Sequence, residues 1–305
     1  MTKLEDRINS FSEYYKKKYK NKTYKIGLSI GQECPQRIIH SPCIFCLPQS
    51  FIDQKSKHLP TITNQIDFLT SKLKKQYGDI SFIAYFQDNT STFGDIDYLK
   101  NVFDQAFYHP LIKEVIISTR PDYINRDVLN LFKSYEKDLK FEIGMQTIHD
   151  KSLLFLNRNH TQKDTDAAIK LIKQYKYMIG VHLLLGIPHE SIGDILQTIE
   201  YVNAHNINEV KIHNLIAYKN TRYGELYKSK NLPFAYSNLS EYCELLIRII
   251  GHLNPSIVIS RLFTSNLNRQ GNALNQFPGV KTEWINHLTK MLNNNNVFQG
   301  CLINN

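Results

Sequence analysis

The sequence predicts an α/β chain folded as a partial six-unit β/α barrel with a small C-terminal extension. Three observations carry that prediction. Short β-rich runs recur along the chain, amphipathic helical stretches lie between them, and the runs end in polar or turn-forming residues. Parallel strands are the arrangement that needs such helical crossovers, and β/α barrels keep their chemistry at the C-terminal strand ends.

In order, a basic segment spans residues 1–23, the barrel 24–255 and the extension 256–305. The strand runs are "YKIGLSI" from Tyr24, "ISFIAYFQ" from Ile80, "VIISTR" from Val115, "FEIGMQT" from Phe141, "VHLLLGIP" from Val181 and "VKIHNLI" from Val210. Each is apolar at most positions, as strands covered on both faces are. They exit through Gln87 and Asp88, Ser118 to Asp122, Gln146 and Thr147, Gly186 and Pro188, and His213 and Asn214. Between them, stretches such as "TDAAIKLIKQYK" set Ala168, Ile169 and Ile172 on one helical face. A seventh run, "SIVISRL" from Ser256, would add to the barrel edge before a last helix, "TEWINHLTKML", and "NNNN" at 293–296 reads as a loop.

With 42% hydrophobic residues in 305, the chain can bury a large core, and no apolar run reaches the ~18 residues of a membrane span. The opening residues lack the apolar stretch of a secretion signal, so a cytoplasmic protein without a membrane partner is expected. The net charge is +9, with a concentration of Lys and Tyr from Tyr14 to Lys25. Two readings stay open there: an RNA-binding patch that neutralises phosphates and stacks on bases, or a solvated amphipathic helix.

Three of the five cysteines, Cys34, Cys43 and Cys46, fall on the loop after the first strand. Cys243 joins Leu246 and Ile250 on an apolar stripe and reads as core, and Cys301 reads as incidental. Two metal chemistries suit the three thiols. Zinc would take the Cys43-x-x-Cys46 pair with Cys34 and His40 or His58, although a second close pair is missing. An iron–sulfur cluster would take all three and leave one iron without a protein ligand, at the active face.

The ordered motifs "CPQR…CIFC", "AYFQDNTSTF", "STRPDYI", "EIGMQTIHDKSLLFLNRNHT", "VHLLLGIPHE" and "VKIHNLIAYKNTR" resemble the radical S-adenosylmethionine (SAM) superfamily, and within it the YhcC-like proteins, relatives of the elongator catalytic subunit's radical SAM domain. The resemblance implies a radical SAM enzyme whose Cys34, Cys43 and Cys46 hold a [4Fe–4S] cluster with SAM on the fourth iron. It places Phe45 over the cluster and Gln87, Gln146, Arg158, His182 and Gly186 around SAM. Arg120 would meet a SAM carboxylate or a substrate phosphate, and Asp122 would cap the following helix. Lys211 and His213, on one face of the sixth strand, would contact substrate. The implied substrate is RNA, the wobble uridine side chain of tRNA, with flavodoxin or ferredoxin delivering the electron. A small molecule or peptide, or a lapsed zinc- or cluster-bearing RNA-binding protein, are the alternative readings. The chain departs from the family in the glycine-free "PQRIIHSP" between the first two thiols, in Ile216 replacing a histidine, and in "SRLFTSN", which lacks an acid. No elongator-like acetyltransferase domain is present in the sequence, so acetyl transfer is not expected.

Overall fold

The computed structural model describes residues 2–47, 54–229, 232, 236–264 and 272–303. Its strands are β1 (Thr23–Leu28), β2 (Ser81–Phe86), β3 (Ile112–Thr119), β4 (Asp138–Gln146), β5 (Met178–Leu185), β6 (Glu209–Asn214) and β7 (Val258–Arg261), all parallel in one sheet in sequence order. The helices are α1 (Phe11–Tyr19), α2 (Pro35–Ile38), α3 (Gln54–Lys57), α4 (Ile62–Tyr77), α5 (Ile96–Phe107), α6 (Arg126–Asn130), α7 (Asp150–Phe155), α8 (Gln162–Gln174), α9 (Ile192–Ala204), α10 (Arg222–Lys228), α11 (Leu239–His252) and α12 (Lys281–Asn294). The six β/α units and the added seventh strand appear where the sequence placed them.

Strand periodicity decides which side chains meet helices and which meet the interior. Phe82, Ala84 and Phe86, Val115 and Ile117, Phe141 and Ile143, and Val181 and Leu183 belong to the large core under the helices. The intervening positions point the other way: Lys25, Tyr85, Glu142, His182, Glu209 and Lys211. That set shows the sheet to be curled, because Lys25 of β1 lies 2.7 Å from Glu142 of β4 and 2.8 Å from Glu209 of β6. Side chains from strands this far apart in order can touch only across a barrel interior.

The basic segment at the start of the chain is part of this barrel. Asn9 O accepts from Ile259 N at 2.8 Å, and Ser10 bridges Ile259 in parallel, so the segment lies along β7. Helix α1 then inserts Tyr15 among Ile83, Tyr85 and Ile116. The Tyr15 and Tyr19 hydroxyls donate to Glu114 at 2.6 and 2.8 Å, and Lys18 pairs with Glu114 at 2.6 Å. Tyr15 is 1% exposed, so it cannot stack on a base. Lys16, Lys17 and Lys20 remain exposed.

Cys243 is fully buried in α11, as its stripe implied. Cys301 differs from its reading as incidental: it is half-buried against the core, in a turn where Leu302 N donates to Gly251 O at 2.8 Å. The Asn run differs too, since α12 continues through Asn294 before the chain turns at Asn296 with φ of 48°. Among the described residues no helix is long and apolar enough to cross a membrane.

Candidate active site

At the C-terminal strand ends the interior opens into a cavity of about 200 Å³. Cys34, Cys43, Cys46, Phe45, Gln87, Arg120, Gln146, Arg158, His182, Lys211 and His213 all line it. Gly186 does not. It lies on a neighbouring cavity against Tyr236, whose ring would be 2.6 Å from a Cβ at that position, and its φ of +87° also demands glycine.

The cysteine loop is built without a glycine-rich insert. Cys34 precedes α2, and Pro35 occupies the first helical position, where its missing N–H costs nothing. Buried Gln36 donates to Ser41 O at 2.9 Å and Asn157 O at 3.0 Å, while Asn157 Nδ2 donates to Ser41 O and Pro42 O, each at 2.9 Å. Ile44 N donates to Leu156 O at 3.1 Å, and Cys46 N closes a turn onto Cys43 O at 3.0 Å. Side-chain clamps to the segment after α7 thus replace backbone flexibility as the means of shaping the short loop.

Each thiol faces a polar group. Cys34 Sγ is 3.4 Å from Thr90 Oγ1, Arg158 Nη1 donates to Cys43 Sγ at 3.5 Å, and Arg37 Nη1 donates to Cys46 Sγ at 3.5 Å. Burial and the neighbouring Cys43 push the Cys46 thiol up to about 11, against the pull of Arg37. The described cavity lining contains five Lys and Arg residues and no Asp or Glu. Such walls suit an anionic, thiolate-ligated cluster. The zinc set fits less well: His40 and His58 are exposed and off the cavity lining, and no three His, Cys, Asp or Glu side chains converge on a single ion among the described residues.

Arg158 is held by glycine. Its Nη2 donates to Gly144 O at 3.0 Å, and a Cβ on Gly144 would stand 2.9 Å from that nitrogen and 3.2 Å from Gln146 Nε2. Gln146 ends β4 with φ of 70°, a left-handed conformation that a non-glycine residue adopts at a cost. Arg120 is largely committed elsewhere. Its Nη2 reaches Asp122 Oδ2 at 2.9 Å and Arg158 O at 2.6 Å, leaving Nη1 buried without a partner among the described residues. Asp122 is therefore an ion-pair partner rather than the helix cap; Asn125 caps α6 instead. Burial, with Arg158 and Arg120 nearby, drives His160 down to about 2 and keeps it neutral.

Below these groups lies a buried polar floor centred on Glu142. Lys25 holds Oε1 at 2.7 Å, while Tyr85 OH and His182 Nε2 meet Oε2 at 2.6 and 2.7 Å. Lys211 donates to Tyr85 OH at 2.5 Å and stands 3.6 Å from Glu142 Oε2. Despite burial, the Lys25 and Lys211 charges hold the Glu142 carboxyl well below the usual range. Burial, with Lys211 opposing Glu142, lowers His182 to about 4, so it is neutral near pH 7. A second ion pair, Lys140 with Glu209, continues the network to Tyr15 through a 2.9 Å bond from Lys140 to its hydroxyl.

Sequence reasoning missed Arg37, Tyr85, Glu142, Gly144 and Arg261. Counting back in twos from Gln146 would have reached Gly144 and Glu142, because alternate strand residues share a face. Arg37 and Arg261 carry no comparable periodic signal.

The radical SAM superfamily model matches residues 28–202, more than half of the chain, and the radical SAM C-terminal domain matches 207–292. The chain belongs to the radical SAM superfamily, whose members use a [4Fe–4S] cluster and SAM, and it is a radical SAM enzyme. Within that class it is similar to protein YhcC of Escherichia coli K12, at 29% identity over 86% of this chain and 85% of the relative. A shorter stretch is 36% identical over 72 residues to the tRNA uridine(34) acetyltransferase of Methanocaldococcus jannaschii, covering 24% of this chain and 13% of that protein. The fold matches the archaeal Methanocaldococcus infernus Elp3 structure with TM-score 0.66 at 15% identity, over 91% of this chain and 64% of that one.

Proposed function

We propose that this enzyme modifies RNA, acting on the side chain of a tRNA wobble uridine. The observation that carries the reading is the short sequence match to a tRNA uridine(34) acetyltransferase; the net charge of +9 and the exposed Lys16, Lys17 and Lys20 support it. When bound, a [4Fe–4S] cluster with SAM supplies one-electron cleavage of SAM and a 5′-deoxyadenosyl radical. A one-electron donor such as flavodoxin or ferredoxin is the partner this requires.

In this reading Cys34, Cys43 and Cys46 hold the cluster, Phe45 shields it, and Arg37 and Arg158 offset the charge of its thiolates. Gln87, Gln146, Arg158 and His182 bind SAM, with Arg158 presenting a planar cation suited to a carboxylate. Arg120 positions Arg158 through the Arg158 carbonyl and keeps one buried N–H for a ligand. Lys211 and His213 contact the substrate, and the Glu142 floor fixes their surroundings while the helices exclude water.

The test compares nucleosides in tRNA from cells lacking this chain with those of the parent, then repeats the comparison with anaerobically reconstituted enzyme and SAM. Loss of one wobble-uridine derivative in the deletion, restored by wild type but not by Cys43→Ser, is the expected result. An unchanged nucleoside profile together with no tRNA-stimulated turnover in vitro would overturn the RNA reading.

A further inference from the structure

One charged side chain on the cavity wall has no hydrogen-bond or ion-pair partner among the described residues. Arg261 ends β7, lines the cavity beside Lys211, and has neither a hydrogen bond nor an ion pair among the described residues. Its neighbours are also unfinished. His213 uses Nδ1 on Thr264 Oγ1 at 3.0 Å, while its Nε2 is buried with no partner among the described residues. Lys211 gives one bond to Tyr85 OH and keeps further N–H donors.

Glu142, the nearby carboxylate, cannot complete this group. Its two oxygens already receive Lys25, Tyr85 and His182, and Lys211 stands 3.6 Å off. An unpaired cation in a water-poor interior is costly unless a counter-charge arrives. No Asp or Glu lines this cavity among the described residues, and Glu142, which acts on Arg261 from behind the lining, is already shared.

We propose that Arg261, His213 and Lys211 form a subsite for a compact oxyanion, a carboxylate or phosphate carried by the substrate. Guanidinium, imidazole N–H and ammonium would surround such a group from β6 and β7, and charge-assisted bonds of this kind are the strong ones. The position shares the cavity with the three cysteines of the loop that follows β1. Burial, with the Arg261 and Lys25 charges, holds Lys211 well below the ordinary lysine range against the pull of Glu142. A bound anion would draw it back up.

The proposal rests on the cavity being the substrate site of the enzyme, and it is independent of whether that substrate is RNA. The test is equilibrium dialysis of full-length reconstituted enzyme with radiolabelled inorganic phosphate and, separately, acetate, each with and without SAM. Saturable binding of either anion that Arg261→Gln weakens at least about tenfold, that Arg261→Lys partly restores, and that SAM does not displace supports the subsite. Phosphate preference assigns a phosphate-bearing substrate, and acetate preference a carboxylate. Binding unchanged in Arg261→Gln and in His213→Gln, or no saturable binding, overturns the subsite by reducing it to an adventitious ion only. Displacement by SAM, with a matching loss of SAM affinity in Arg261→Gln, also overturns it, because the anion would then be SAM's own carboxylate. Thermal melting of each variant separates these outcomes from misfolding. Formation of 5′-deoxyadenosine and the tRNA nucleoside profile are measured independently, so either reading can fail alone.

Discussion

Replacing Gly144 with Ala adds one methyl group at the point where the strand interior meets Arg158. The new Cβ would lie 2.9 Å from Arg158 Nη2, whereas ordinary contact begins near 3.4 Å, so the guanidinium must retreat by about half an ångström. Retreat on that side strains its 3.0 Å bond to Gly144 O and shifts Nη1 relative to Cys43 Sγ. A hydrogen bond to a charged group contributes roughly 1.5–3 kcal/mol, so loss of its geometry weakens the SAM complex by about ten- to a hundredfold. Gln146 Nε2, at 3.2 Å from the same Cβ, must also give way by a few tenths of an ångström. The assay is equilibrium binding of SAM to anaerobically reconstituted enzyme, with iron content and melting temperature measured alongside. The expected variant keeps its fold and iron but binds SAM weakly, and Arg158→Gln reproduces the defect. A Gly144→Ala enzyme whose SAM affinity stays within twofold of wild type would refute the idea that this glycine sets the guanidinium.

Substituting Cys34, Cys43 or Cys46 with Ser should abolish cluster assembly, read as loss of iron and of the cluster's visible absorption, whereas Cys243→Ser should retain iron and show only a lower melting temperature. Glu142→Gln takes from Lys211 its carboxylate at 3.6 Å and from Lys25 one of two, Glu209 remaining; breaking a buried pair costs about 3–5 kcal/mol, and a fall in melting temperature of roughly 10 °C is expected by calorimetry. The native Glu142 carboxyl sits far below its unfolded value, so its contribution is full above about pH 4.5 and disappears as pH falls through the folded value. His182 adds to the same acid limb, because a histidine lowered to about 4 loses its share of stability as pH falls from about 6.5 toward 4. Denaturant titrations across pH should therefore show a steep acid limb that flattens in His182→Gln. Finally, Glu114→Gln removes the charge that Tyr15, Tyr19 and Lys18 share, so limited proteolysis should cut ahead of β1 faster than in wild type; equal cutting rates would show that α1 is held by its apolar contacts alone.

The sequence by itself determined the strand series, the helical crossovers and the face that would bear the chemistry, because period-two and period-3.6 patterns are local properties of the chain. It also placed three thiols on the loop after β1, since adjacency there is adjacency in number. What it left open were meetings between residues far apart in the chain. Arg158 reaches Cys43 across 115 positions and Lys25 reaches Glu209 across 184, and only closure of the sheet brings them together. The same closure turned Tyr15 from a candidate base-stacking ring into a barrel plug, whereas Asp122 pairs with Arg120 two positions away because Asn125 takes the cap. Gly186 shows the opposite limit: its motif was readable, but the ring of Tyr236, fifty positions on, decided which cavity it borders. Arg261 drew no reading from the sequence, and its meaning depends on the unfilled donors of His213 and Lys211, which belong to a neighbouring strand. Charge and spacing are written along the chain; whether a charge is paired is settled by what the fold brings within about 4 Å of it.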